Sequence, residues 1–298
     1  MMLRTLALLS LVAASALAGS WEGGLKVRFD LTIFGIGTTA FIDLPQTVAS
    51  AAEKGWRQNW RNDLPAGYAP LSIFCPQSDL TLCVFYDDTG YIAGLQVALN
   101  KETYAGNVFD WSVQGFTTWS PNMDGQVINY WTIQQYFISP ETLATDPAIR
   151  VATRNPDLMI QDHSILVSGF NGELYRISTN VSDITGPNSD FTKQACIPWM
   201  GQHYYYKTTE DMECKSDTMF PWFPLVYSDQ LIGVGLVMFG SHTVEAGAVD
   251  WFETPARAAV EAIVPRGPQC LYELADSPGI VTMHTYFIRN PQGVTCVF

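Results

Sequence analysis

Apolar and polar positions alternate along much of this chain in short runs bounded by turn residues, the pattern of half-buried strands. Lys26-Val27-Arg28-Phe29-Asp30-Leu31 alternates cleanly. Leu80 to Tyr86, Tyr91 to Leu99, Val127 to Ile138, Ile165 to Val167 and Leu231 to Phe239 also read as strands. Asp87-Asp88-Thr89-Gly90 separates two of them and Asn171-Gly172 follows another, as turn chemistry requires. Helical signals are few. Val48, Ala51, Ala52 and Trp56 share one face behind Thr47, a suitable N-cap. Thr254-Pro255 predicts a cap and first-turn proline for a helix reaching about Val264, where Pro265 and Pro268 stop it. The class is mainly β with few short helices.

The pattern also repeats. Ala105-Gly106-Asn107-Val108-Phe109-Asp110-Trp111 resembles Ala246-Gly247-Ala248-Val249-Asp250-Trp251 with one residue deleted. Thr132-Ile133-Gln134-Gln135-Tyr136-Phe137-Ile138 matches Thr282-Met283-His284-Thr285-Tyr286-Phe287-Ile288, and apolar strands at Ile92 and Ile232 precede the two copies. The expected architecture is an internally duplicated β-sandwich, or a pair of barrel-like halves, packed about a pseudo-twofold axis. Such packing covers sheet faces and edges that one half alone would expose. The expected division is residues 1–18 as a signal peptide, 19–180 as the first half and 181–298 as the second, in one compact body. Asn180 to Asp190 is the connector.

Three features set the compartment. Arg4, the apolar stretch Leu6 to Leu17 and Ala16-Leu17-Ala18 form a secretory leader with an A-x-A cleavage pattern, too short to span a bilayer. Cys75, Cys83, Cys196, Cys214, Cys270 and Cys296 are an even six, which suits an oxidising environment. Sequence-local pairing (75–83, 196–214, 270–296) is the expectation. Asn180-Val181-Ser182 is a glycosylation sequon in a polar stretch. The protein is therefore read as secreted, with no membrane span. Lys and Arg number 16 against 29 Asp and Glu, a net charge of −13, which argues against nucleic acid as a partner.

Candidate chemistry gathers in the second copy. Alternation puts Val281, Met283 and Phe287 on one face of a strand, with Thr282, His284 and Tyr286 on the other. The first copy carries Gln134 where the second carries His284. Cys196-Ile197-Pro198-Trp199-Met200-Gly201-Gln202-His203-Tyr204-Tyr205-Tyr206 places His203 and Tyr205 on one face of another strand. Each histidine also has an ordinary reading as a hydrogen-bonded structural residue, and the tyrosines as core and rim. Asp110-Trp111 and Asp250-Trp251 recur in both copies and read as structural turns. Glu253, beside Trp251 and Phe252, is a candidate acid or base. His163 and His242 read as loop residues. Motifs for a nucleophile elbow, a zinc protease or a P-loop are missing.

The Cys196–Tyr206 segment, with Met283-His284-Thr285-Tyr286-Phe287, resembles uncharacterised secreted β proteins carrying a Met-Gly-x-His-Tyr turn. The likeness covers about the last third of the chain; it brings no activity, but implies that His203 and His284 share one site. The leading expectation is a small, partly aromatic ligand held in a Tyr/Trp/His-lined pocket. His203, His284 and Glu253 are its polar groups, and Tyr286, Tyr205, Thr282 and Trp251 its binding residues. A different class is a secreted enzyme, of oxidase, oxygenase, luciferase or hydrolase type, using His203 and His284 as general base or metal ligands with Glu253. A third is an extracellular structural component. The cofactor and any metal are left open.

Overall fold

The computed structural model describes residues 21–28, 31–32, 35–36, 40–123, 125–244 and 248–296. The leader, Phe29 and Asp30 of the first predicted strand, and Ala246-Gly247 of the second repeat motif lie outside the described residues.

The chain begins with β1 (Gly23–Val27), a small ribbon of β2 (Leu31–Thr32) and β3 (Gly35–Ile36), then β4 (Ile42–Asp43) and α1 (Val48–Glu53). Four strands follow: β5 (Trp56–Asn59), β6 (Ser72–Pro76), β7 (Leu82–Tyr86) and β8 (Ile92–Asn100). Next come β9 (Thr117–Trp119), a ribbon of β10 (Asn122–Met123) and β11 (Gln126–Val127), and β12 (Tyr130–Tyr136). Helices α2 (Pro140–Leu143) and α3 (Pro147–Thr153) lead to β13 (Ser164–Ser168), β14 (Leu174–Ser178) and α4 (Val181–Thr185). The second series is β15 (Phe191–Ile197), β16 (Gly201–Tyr206), β17 (Trp222–Tyr227) and β18 (Gln230–Phe239). Helices α5 (Arg257–Ile263) and α6 (Gln269–Asp276) precede β19 (Ile280–Ile288).

Among the described residues these strands build two large antiparallel sheets. One has the order β5-β6-β7-β8-β12-β13-β14, with β9 beside the start of β12. The other has the order β15-β16-β17-β18-β19-β1-β4. The amino-terminal strands β1 and β4 thus complete the sheet made by the end of the chain.

The sheets stack through a shared core. Leu82, Val84, Leu95, Val97 and Ile133 from one meet Trp222, Leu236, Val281, Met283 and Phe287 from the other. The alternation on β19 and β12 is therefore as the pattern predicts, with odd positions between the sheets. The contact includes a ring pair, Phe137 on Phe287 at 5.5 Å, and a buried hydrogen bond in which Gln135 Nε2 donates to Thr285 Oγ1 at 2.9 Å. Trp222 Nε1 donates to the Ser168 carbonyl at 2.8 Å, fixing one sheet against the other.

Each outer face is covered too. Tyr68, Leu80, Phe85 and Tyr136 pack outside the first sheet. Leu225, Val237, Val260, Leu271 and Tyr286 pack outside the second, under α5 and α6.

Local expectations fare unevenly. Thr47 caps α1 in a capping box with Ser50. Helix α5 starts later than the Thr254-Pro255 signal predicts; Ala256 is its N-cap and makes no side-chain cap bond. The reason is tertiary: Glu253, just upstream, exchanges backbone hydrogen bonds with Thr282 and holds the segment extended. Strand β1 stops at Val27 because Arg28 turns left-handed at φ 69. Disulfides join Cys75–Cys83, Cys196–Cys296 and Cys214–Cys270. The expected 196–214 and 270–296 pairs are thus incorrect. Trp199 N donates to the Val294 carbonyl, laying the chain end against the β15–β16 turn and bringing Cys296 to Cys196. The disulfides and the β-rich fold are consistent with an extracellular protein. Among the described residues no helix is long and apolar enough to cross a membrane.

Candidate functional site

A hollow of about 490 Å³ opens on the outer face of the second sheet, between its middle strands and α5. Its walls are mainly apolar, with Met200, Phe223, Val237 and Val260 among them. Strand alternation delivers His203 and Tyr205 from β16 and Thr282 and His284 from β19 to this face. The turn feeding β16 depends on glycine. Gly201 has φ 101, and a Cβ there would press on Ile232 Cδ1 at 2.9 Å.

The polar floor is a short chain of contacts. Thr282 Oγ1 donates to Glu253 Oε2 at 3.0 Å, and His284 Nδ1 lies 3.3 Å from Glu253 Oε1. His284 is 3% exposed and Thr282 8% exposed, so both touch the hollow by a small polar edge. Arg28 and Asp250 also line it, paired at 3.3 Å.

His203 sits one layer deeper. Its ring is stacked on Phe223 at 5.6 Å and meets His284 edge-on at 5.8 Å. It is 0% exposed, and its Nδ1 is 3.1 Å from the Gly201 carbonyl and 3.2 Å from that of Ala195. Carbonyls only accept, so Nδ1 carries the proton and Nε2 the lone pair. Burial pushes the imidazolium down to about 3; the neighbouring His284 pushes the same way and the two carbonyls oppose. His203 is accordingly neutral near pH 7, and it lines the deepest part of the hollow.

Stability carries the mark of this burial. The folded value lies below the ordinary histidine value, so the unfolded chain binds more protons between about pH 6.5 and 3. The contribution is complete above about pH 6.5 and is lost as pH falls, by up to about 1.4 kcal/mol per unit. Urea unfolding of the native protein and His203→Gln at pH 7.5, 6 and 5 is expected to show a shallower acid loss in the variant. Parallel losses would contradict it.

The remaining candidates divide. Tyr205 is half-buried on the wall, stacked on Phe223 at 4.6 Å. Tyr286 is fully buried behind His284, stacked on it at 6.1 Å, and does not line the hollow. Trp251 points away: its Nε1 donates to Asp79 Oδ2 at 2.6 Å and its ring meets Trp56 in the inter-sheet core. It anchors the Glu253 segment. The Asp110 carboxylate accepts from Ser112 N and Val113 N, which is turn chemistry. His163 is exposed, and His242 lies edge-on to Phe252 at 4.9 Å. Among the described residues no group of three or more His, Cys, Asp and Glu side chains is arranged to hold a metal ion. The wall residues from α5 were missed; their signal was the apolar stripe of that helix, read only as core.

The corresponding strand pair of the first sheet is filled. Gln134 faces Gln96 across β12 and β8, as His284 faces Gly235 across β19 and β18. Thr132 faces Thr117, as Thr282 faces Glu253. Into this place the first sheet puts the Arg61 guanidinium. It donates to Gln96 Oε1, to Thr132 Oγ1 at 2.8 Å and to Thr117 Oγ1 at 2.9 Å. In the second sheet Gly235 stands where the first has Gln96, and the Phe223 ring lies over it so closely that a Cβ would strike it.

No family model, curated protein or solved structure matches this chain.

Proposed function

We propose that the protein is a secreted carrier or receptor for a small, partly aromatic molecule, which enters the hollow on the second sheet and hydrogen-bonds to its Glu253–Thr282–His284 floor. The observation that carries this reading is the hollow itself: mainly apolar walls around a few convergent polar groups, at a volume suited to a small ligand. The half-buried Tyr205 offers an aromatic wall backed by Phe223, and His284 offers an imidazole at the floor.

The reading includes a duplicated chain, with units about a pseudo-twofold axis: residues 56–178, and residues 191–288 completed by 23–43. Its support is the shared strand order of the sheets together with the Gln135–Thr285 and Phe137–Phe287 contacts. Each contact joins residues that match in the two sequence copies, as residues near a twofold axis do. One copy then fills its outer-face site with Arg61, and the other keeps it open.

The His284–Glu253 contact also favours a second reading, in which the pair acts as a general base on a bound substrate. His284→Gln separates the two, since it abolishes turnover under catalysis but only weakens affinity under carriage.

Histidine ring resonances test occupancy. With the protein titrated by 2-phenylethanol and 2-phenylethylamine, the His284 signal is expected to shift saturably at one-to-one stoichiometry while exposed His163 stays still. Shifts confined to His163, or none at all, would refute the proposal.

A further inference from the structure

We infer that Asn180 carries an N-linked glycan, and that this glycan shields the open edge strand β14 from pairing with another chain. The inference rests on passage through a eukaryotic secretory pathway and is independent of any ligand in the hollow.

The modification has one address. Asn180-Val181-Ser182 is the single Asn-x-Ser/Thr of the sequence. Asn180 and Ser182 are exposed at the start of α4, while Val181 and Ile184 turn the other way into the inter-sheet core. Ser182 Oγ donates to Asn180 Oδ1 at 3.0 Å, and Ser182 N donates to the same oxygen at 3.3 Å. Both contacts take the carbonyl end of the amide, so Nδ2 is the end left to solvent. The transfer itself is a substitution at carbon. Asn180 Nδ2 bonds to the anomeric carbon of a lipid-pyrophosphate-linked oligosaccharide, the bond from that carbon to the pyrophosphate oxygen breaks, and the amide gives up one proton. Neither an oxidant nor a reductant takes part.

The position gives the glycan a role. The two sheets end side by side where α4 joins β14 to β15, with the Tyr175 and Phe191 rings 5.9 Å apart. The β15 edge is covered: Arg266, in the connection between α5 and α6, donates to the Lys193 carbonyl, and its backbone N donates to Gln194 Oε1 at 3.1 Å. Among the described residues β14 pairs with β13 on one side and with no strand on the other. An unpaired strand edge is a template for association, and proteins commonly protect it with prolines, bulges or charges. Leu174-Tyr175-Arg176-Ile177-Ser178 has no proline and runs in unbroken register with β13. Its one charge, Arg176, donates to Ser164 Oγ on that neighbour. The strand ends at Ser178, whose Oγ accepts from Asn180 N at 3.1 Å and so holds the glycosylation site against the end of the edge. A bulky, hydrated oligosaccharide at this point excludes a second strand.

The test uses the full chain secreted from a eukaryotic host. Intact mass and glycopeptide mapping are expected to place an N-glycan on Asn180, to find it kept in Ser182→Thr, and to find it lost in Ser182→Ala and Asn180→Asp. Aspartate is itself a good N-cap, so Asn180→Asp removes the acceptor amide while preserving the start of α4. Sedimentation velocity is expected to show several-fold more dimer and larger species in Asn180→Asp than in the glycosylated protein, with hydrogen exchange slowed at residues 174–178 on association. Enzymatic removal of the glycan from the already folded protein should give the same association, which excludes misfolding as its cause. A secreted native protein bearing no glycan at Asn180 would overturn the inference. So would a glycan whose loss leaves association unchanged, or association that protects other strands and not β14.

Discussion

Removing the Cys196–Cys296 bridge, with both residues changed to alanine, is expected to cost about 4 to 5 kcal/mol of stability. The bridge closes a loop with a sequence separation of 100, and the entropy it removes from the unfolded chain grows with the logarithm of loop length. Cys75–Cys83, with a separation of 8, is expected to cost only about 2.5 kcal/mol when removed, and Cys214–Cys270, with a separation of 56, about 4. Guanidinium unfolding of the three double variants should reproduce that order. Equal losses for the shortest and the longest loop would contradict it. The consequence for the site is direct. Cys196 lies one residue before Ile197 and a short turn before Met200, two walls of the hollow, so its loss loosens the mouth.

Arg61→Ala is expected to destabilise the protein by about 2 to 4 kcal/mol. The guanidinium is buried against Gln96, Thr132 and Thr117, and truncating it opens a cavity while leaving those groups short of donors. Its partner Asp63 is 46% exposed and stays solvated, as does exposed Thr117, so the loss comes from the buried Thr132 hydroxyl and Gln96 amide rather than from a stranded charge. Millimolar N-ethylguanidinium should raise the midpoint of the variant while leaving the native protein unchanged. A loss below about 0.5 kcal/mol, or a rise of equal size in both proteins, would show that Arg61 does not occupy a site.

Much of the fold was legible because β alternation is a local signal. The odd face of β19 is the inter-sheet core, as the pattern Val281, Met283, Phe287 requires. Of the even face, Thr282 and His284 line the hollow and Tyr286 is buried behind them. Alternation assigns a face; it does not say where along that face a covering element leaves a gap. Trp251 shows the same limit from a loop, where nothing periodic fixes the direction of the indole and Asp79, far away in sequence, decides it. Sequence-local pairing holds for Cys75–Cys83 and fails for the other two disulfides for a related reason. Proximity in sequence is a poor guide once β1 and the chain end both return to the second sheet. The significance of Gly235 was illegible in one sequence, because it emerges only when the β18–β19 register is set beside the β8–β12 register.

The most direct trial of the account is a crystal soaked in a mixture of one-ring amines, alcohols and carboxylic acids. The account predicts difference density for a ring beside Phe223 and Tyr205, with a polar atom within hydrogen-bond distance of Glu253 or His284. Ordered water alone in the hollow at every concentration, with rings found only on the outer surface, would contradict it.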